Sequence, residues 1–169
     1  MSLTFNTERL VLRSLEPNDA VHLFKLNEDV EVLKYVHDVP FTNVEAAARW
    51  IGEIDKELPL GIGRWAITAT DGRWIGRCSL RRQLNGEVLM GYRLLREHWN
   101  KGYASETVAA LLKLAFGTHG LPFVLSKIAR ENIGSIRVAE KNGGVLWRDE
   151  ACGHFADALM YRFDRPAAE

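Results

Sequence analysis

Thr7 to Ser14 reads T-E-R-L-V-L-R-S, with Leu10 and Leu12 on one side and Val11 and Arg13 on the other. Alternation of this kind predicts a strand. Pro17 in E-P-N-D suits the first turn of a helix, where its missing N–H would have no partner anyway. Ala20, Leu23, Phe24 and Leu26 carry that helix's apolar stripe to about Asn27, and a short broken helix is expected over Val30 to Tyr35. Thr42-Asn43-Val44-Glu45 fits a capping box in which Thr42 and Glu45 satisfy each other's free backbone donors. Behind it Val44, Ala47, Ala48, Ile51 and Ile54 fall at helical spacing. The period then changes. Gly63 to Thr70, Arg73 to Arg82 and Val88 to Leu95 are short strand-like runs separated by T-D-G at 70–72 and L-N-G at 84–86, which predicts an antiparallel meander. From Gly102 onward, Ala104, Thr107, Val108, Leu111, Leu112 and Ala115 mark one face of a helix closed by Gly117 and Gly120. Phe123 to Ala129 is expected as a strand. Asn132 to Asn142 follows as a helix with Ile133, Ile136 and Ala139 inward, stopped by Gly143-Gly144. Val145 to Glu150 and Ala156 to Phe163 are the last strands.

Composition narrows the class. With 169 residues, 47% hydrophobic and 26% charged, and no repeat or low-complexity linker, one globular domain over 1–169 is expected. Lys plus Arg equals Asp plus Glu at 22 each, so no net field favours nucleic acid or an anionic membrane surface. Cys78 and Cys152 are the only cysteines and show no zinc spacing, so neither a metal nor a disulfide framework is expected. No apolar run reaches membrane length and residues 1–6 lack a signal-peptide pattern, which points to the cytoplasm.

The most informative stretch is Tyr92 to Glu106, Y-R-L-L-R-E-H-W-N-K-G-Y-A-S-E, where a strand passes through a short polar turn into a helix. Backbone N–H groups around Asn100 to Ala104 would stand unpaired at the helix start, where the helix dipole adds partial positive charge, an arrangement suited to a pyrophosphate. Gly102 and Ala104 are small enough to let phosphate oxygens approach the backbone, and Lys101 and Arg96 add diffuse positive charge. A glycine in a strand-turn-helix is weak evidence alone. Gly61-Ile62-Gly63 precedes a strand-like run and reads as a plain loop.

W-N-K-G-Y-A-S-E at 99–106 resembles the coenzyme A pyrophosphate motif of GNAT acetyltransferases, R/Q-x-x-G-x-G/A, with Gly102 and Ala104 in its two small positions. T-E-R-L-V-L-R at 7–13, M-G-Y-R-L at 90–94 and E-N-I-G-S-I-R-V-A-E-K-N-G at 131–143 match in order, and together they resemble the RimJ/RimL-like branch, which includes acetyltransferases of ribosomal-protein N-termini. The resemblance implies an α/β (α+β) fold: a mixed, mostly antiparallel central sheet of about seven strands flanked by helices. It implies a splay where the strand ending near Leu95 parts from Phe123 to Ala129, with acetyl-CoA in the gap. The backbone of Arg93, Leu94 and Leu95 would pair with the pantetheine, Trp99, Asn100, Lys101, Gly102, Tyr103, Ala104 and Ser105 would meet the pyrophosphate, and Asn132, Ser135 and Lys141 would contact the cofactor from the other side. Trp99 stands where many members carry Arg or Gln, and Gly144 where Phe usually follows the last glycine, which weakens a packing position. Ala139 stands seven residues after Asn132, where many members place a Tyr that protonates the leaving thiolate.

Acyl transfer to an amine needs a deprotonated nucleophile, a stabilised oxyanion and a proton or hydrogen bond for the departing thiolate. A backbone N–H near Leu94 is the oxyanion candidate. Ser135, one helical turn after Asn132, is the candidate at the thiolate, against the bland reading of a serine bonded to its own preceding turn. Glu87, Glu150 and His154 are candidate bases, with a solvated surface role as the competing reading. His37 and Asp38 in Y-V-H-D-V-P are candidate acceptor contacts, against a plain proline-ended loop. Trp50, Trp65, Trp74 and Trp147 read as core or cleft wall. The expected activity is transfer of an acetyl group from acetyl-CoA to a primary amine, foremost a protein or peptide N-terminus. A polyamine or amino sugar is the alternative acceptor, and a non-catalytic acyl-CoA-binding protein the alternative of another class. A homodimer is left open.

Overall fold

The computed structural model describes residues 4–36, 39–54, 62–152 and 155–167. Its strands are β1 (Phe5–Asn6), β2 (Leu10–Ser14), β3 (Gly63–Ala69), β4 (Trp74–Arg82), β5 (Val88–Leu94), β6 (Phe123–Ala129), β7 (Val145–Cys152) and β8 (Phe155–Asp164). They form an eight-stranded sheet in the order β1-β2-β3-β4-β5-β6-β8-β7. The helices are α1 (Ala20–Glu28), α2 (Val30–Leu33), α3 (Val44–Ile54), α4 (Tyr103–Lys113) and α5 (Ile133–Lys141). All neighbouring strands pair antiparallel except β5 and β6, which run parallel and meet at a single register point, Leu89 opposite Leu125. Beyond that point they diverge, as the family resemblance implies.

The pleat sorts side chains into two layers. Leu10, Leu12, Ile67, Leu80, Met90 and Leu94 pack against Val108 and Leu111 of α4 and against Phe163. On the opposite face Ala66, Trp74 and Leu95 pack against Leu23 and Leu26 of α1 and Ala47 and Ile51 of α3. At the middle of the sheet Gly76 faces Leu94 across β4 and β5. A Cβ at Gly76 would collide with the Arg93 carbonyl oxygen and lie 2.9 Å from Leu94 Cα, so the two strands come this close only because a hydrogen stands there.

Several boundaries differ from the sequence reading, each for a local reason. The first long strand starts at Leu10, because the Thr7 hydroxyl accepts from Leu10 N at 2.9 Å and turns the chain back, leaving Phe5–Asn6 as an extra short strand. The α3 cap is Asn43, whose Oδ1 accepts from Ala46 N at 2.8 Å, one residue after the expected Thr42. Gly117 does not end its helix. It lies in a π-helical turn over Leu114–Thr118, and the left-handed turn comes at Gly120, φ 59°. Ile133 is 52% exposed, while Ala139 is buried. Three-residue steps precess by about 60° each, so Ile133 sits about 120° round the helix from Ala139. Gly144 is no packing defect: a Cβ there would lie 2.8 Å from the buried Phe163 ring, which takes the space instead. Trp65 and Trp74 are core, Trp50 lines a cleft, and Trp147 is 40% exposed on the edge strand β7.

Candidate active site

After β5 the ladder extends one step, with Leu95 N donating to Ile75 O at 3.0 Å, and the chain then makes a 3-10 turn over Arg96–His98. Asn100 (φ 58°) and Gly102 (φ 80°) take left-handed conformations, and α4 begins at Tyr103. The first helical bond runs from Glu106 N to Gly102 O at 3.1 Å. The preceding amides of Tyr103, Ala104 and Ser105 therefore stand at the open positive end of the helix, where an anion is favoured. The left-handed Gly102 and the helix start at Tyr103 stand in the turn that the sequence singled out.

This turn is propped from the far end of the chain. Glu106 accepts from the Thr7 hydroxyl, from Arg9 N at 2.8 Å and from Arg9 Nε at 2.7 Å, and Arg9 Nη1 donates to the Lys101 carbonyl at 2.9 Å. The guanidinium also lies 4.8 Å from the centre of the Tyr103 ring. Burial pushes the Glu106 carboxyl up, but the Thr7 hydroxyl and the Arg9 amide and guanidinium outweigh it and hold the group below the ordinary carboxylate range. T-E-R-L thus fixes the loop that carries Gly102. Arg9→Ala should cost little stability, about 0–1 kcal/mol for an exposed pair. It should weaken acetyl-CoA binding about tenfold, equivalent to about 1.4 kcal/mol, as read by titration calorimetry. Arg96, in contrast, pairs with Asp29 at 3.1 Å.

Which backbone groups face the gap follows from hydrogen-bond parity. Leu95 N bonds Ile75 O and Gln83 N bonds Glu87 O, so the odd-numbered residues of β5 exchange bonds with β4. Tyr92 and Leu94 then turn their amides toward the splay. Leu94 O accepts from the Trp99 indole at 3.0 Å, so the N–H is the Leu94 group left to face a ligand. Trp99 thereby acts at a distinct point, locking strand to turn. Arg93 works on the other face: its Nη1 donates to Oδ1 of the buried Asn27 at 2.8 Å. Leu95 is buried among α1 and α3 side chains.

Asn132 caps α5, its Oδ1 accepting from Ser135 N at 3.1 Å. Ser135 Oγ in turn accepts from Tyr92 Oη at 3.2 Å. Burial pushes the Tyr92 phenol above its ordinary value, and the bond to Ser135 offsets part of that rise. Asn142 Nδ2 donates to Ser105 Oγ at 2.9 Å and to Val138 O at 2.8 Å, tying the end of α5 to the start of α4. Lys141 is exposed in the last turn of α5. Tyr92 was not singled out by the sequence, because alternation along β5 places it with Val88 and Met90 as one more core position. The only signal was its place in M-G-Y-R-L.

A cleft of about 660 Å³ opens beside Tyr92, Asn132 and Ser135. Tyr92, Ser126, Asn132 and Ser135 line it on the gap side, and Tyr35, Phe41, Trp50, Arg64 and Arg77 on the other. The guanidiniums of Arg64 and Arg77 lie 5.5 and 5.4 Å from the Trp50 ring centre. Glu87 is not part of this cleft: it sits in the β4–β5 hairpin, bonded by Asn85 Nδ2 at 2.9 Å and 3.6 Å from Arg148. Glu150 stands in β7 opposite Ala158, with its side chain outside the description, and His37, Asp38 and His154 lie outside the described residues.

An open helix start after a left-handed glycine, next to a parallel strand pair that splays, has room for an extended ligand with an anionic end. The chain belongs to the GNAT acetyltransferases: the family model for the acetyltransferase (GNAT) domain matches residues 9–145. It is an acyl-CoA N-acyltransferase, and members of this family take acetyl-CoA. A curated relative, the uncharacterized N-acetyltransferase p20 of Bacillus licheniformis, is 35% identical over 167 residues, covering 94% of each chain. Among solved structures, RimL, a ribosomal L7/L12 alpha-N-protein acetyltransferase in complex with coenzyme A, superposes with a TM-score of 0.83 at 18% identity over 96% of this chain and 98% of its own. Spermidine N-acetyltransferase from Vibrio cholerae, in complex with CoA and spermine, gives 0.80 at 18% identity over 94% and 97%. These two share the fold and act on different amines. Among the described residues, no helix is long and apolar enough to cross a membrane.

Proposed function

We propose that the chain transfers an acetyl group from acetyl-CoA to the amino group of a protein or peptide N-terminus, as its RimJ/RimL-like motifs imply. The observation that carries the choice of acceptor is the charge of the cleft. Its described lining includes Arg64, Arg77, Arg81, Arg93 and Lys127 and contains no carboxylate. The described lining thus offers no carboxylate to pair with the several ammonium groups of a polyamine, whereas a peptide brings a single amine to be placed. The amides at Tyr103 to Ser105, with Gly102 giving them room, would take the pyrophosphate. Leu94 N–H would face the thioester oxygen, Ser135 the sulfur and Asn132 the pantetheine. Glu150 and His154 stay as base candidates. His37 and Asp38, between the cleft-lining Val36 and Val39, stay as acceptor contacts.

The test is thiol release from acetyl-CoA with peptides of varied N-terminal residue, spermidine, spermine and an amino sugar, each assayed for kcat/KM. At least one peptide should exceed both polyamines by about 100-fold, or about 2.7 kcal/mol in transition-state binding. Polyamine turnover equal to or above that of every peptide would overturn the choice of acceptor.

A further inference from the structure

We propose that Tyr92, acting through the Ser135 hydroxyl, supplies the proton taken up by the departing thiolate. This rests on the placement of Ser135 at the sulfur given above.

The geometry singles out the phenol. Tyr92 lies on the face of β5 that otherwise carries Val88, Met90 and Leu94, where hydrocarbon alone would pack. Its oxygen is instead directed 3.2 Å from Ser135 Oγ, and both residues line the cleft. With Tyr92 as the donor of this pair, the serine's own hydrogen can turn to another acceptor. Its backbone N–H is already bonded to Asn132 Oδ1, so the hydroxyl hydrogen is the donor Ser135 has left for the cleft. A serine alone is a poor acid beside a thiol of ordinary pKa about 8.5. Backed by a phenol that moves its proton in the same step, the serine gives up its hydrogen without being left as an alkoxide. Position 139, the usual place for such an acid in this family, holds a buried alanine.

The step balances. The amine nitrogen forms its bond to the acetyl carbon and the C–S bond breaks. The sulfur takes the Ser135 proton, and Ser135 takes the proton of Tyr92. The phenolate recovers a proton through water from the newly acylated nitrogen, so the net change is one amine hydrogen moved to the thiol. Burial keeps the phenol protonated through the neutral range, so the donor is loaded before each turnover.

The experiment uses the whole protein with acetyl-CoA and the peptide turned over fastest in the panel above. Tyr92→Phe and Ser135→Ala should each lower kcat about 100-fold, with the Kd for acetyl-CoA changed less than about threefold. The double variant should be no slower than the slower single, since both remove one relay. A fluorinated tyrosine at position 92, which keeps the shape and makes the phenol more acidic, should move the alkaline limb of kcat to lower pH, a shift that a packing role would not produce. A slow Ser135→Ala beside a wild-type Tyr92→Phe, multiplicative losses in the double variant, or an unmoved limb would each overturn the role of Tyr92 and leave Ser135 in place. A wild-type rate for Ser135→Ala would overturn the placement of Ser135 and the relay with it.

Discussion

Gly102→Glu is expected to raise the Kd for acetyl-CoA at least 100-fold, about 2.7 kcal/mol, while leaving the fold standing. Two effects add. Gly102 has φ 80°, and an L residue held there costs roughly 1–2 kcal/mol. The new side chain also sets a carboxylate beside the amides of Tyr103 to Ser105, where the pyrophosphate would sit. Two like charges about 4 Å apart near a protein surface repel by about 4 kcal/mol before salt screening. Gly102→Ala is the companion that separates the two. Its Cβ would lie 3.1 Å from Arg9 Nη2, the flexible end of a side chain that can give way, so it should carry the strain and lose no more than about tenfold in affinity. Calorimetry with thermal melts of all three proteins is the check. Unchanged affinity in the glutamate variant would remove the anion site from this turn.

Gly76→Ala is expected to lower stability by about 1–3 kcal/mol, the usual cost of overpacking, and to weaken acetyl-CoA binding as well. The obstacle to the new methyl is the Arg93 carbonyl and the Leu94 backbone, which cannot rotate away. β5 has to retreat from β4, and the direction open to it is the gap where Tyr92 and Leu94 present their amides. Gly91→Ala on β5 is the control, since its Cβ would meet nothing nearer than Ser79 Oγ at 3.8 Å. Urea melts and the KM for acetyl-CoA should show both losses in the Gly76 variant and neither in the Gly91 variant.

What the sequence disclosed was what depends on neighbours along the chain. The meander with glycine turns at Gly72 and Gly86, the strand at Phe123–Ala129 and the turn at Gly102 are local matters of period and backbone freedom, and they stand where the pattern placed them. What the sequence left out were contacts between distant segments. Arg9 supports a carbonyl 92 positions away, and Tyr92 reaches Ser135 across 43. No hydrophobic period encodes either. Phe163 filling the place beside Gly144 is of the same kind. The cap at Asn43 instead of Thr42 shows the smaller limit, since two adjacent polar residues compete for one role and their side-chain geometry decides.

The single bridge between Leu89 and Leu125 makes the sheet two blocks, β1 to β5 carrying α4 and β6, β8 and β7 carrying α5, with the bond from Asn142 to Ser105 as a clasp between their helices. Such a molecule has a seam running through its middle. A ligand held as proposed, by the start of α4 and β5 on one side and by Asn132 on the other, would span that seam as a staple. At a ligand concentration one hundred times Kd it adds about 2.7 kcal/mol to global stability. Acetyl-CoA bound in this way would add a bridge of its own across the seam, beside the core packing that joins Phe163 of β8 to Leu10, Leu12 and Leu94.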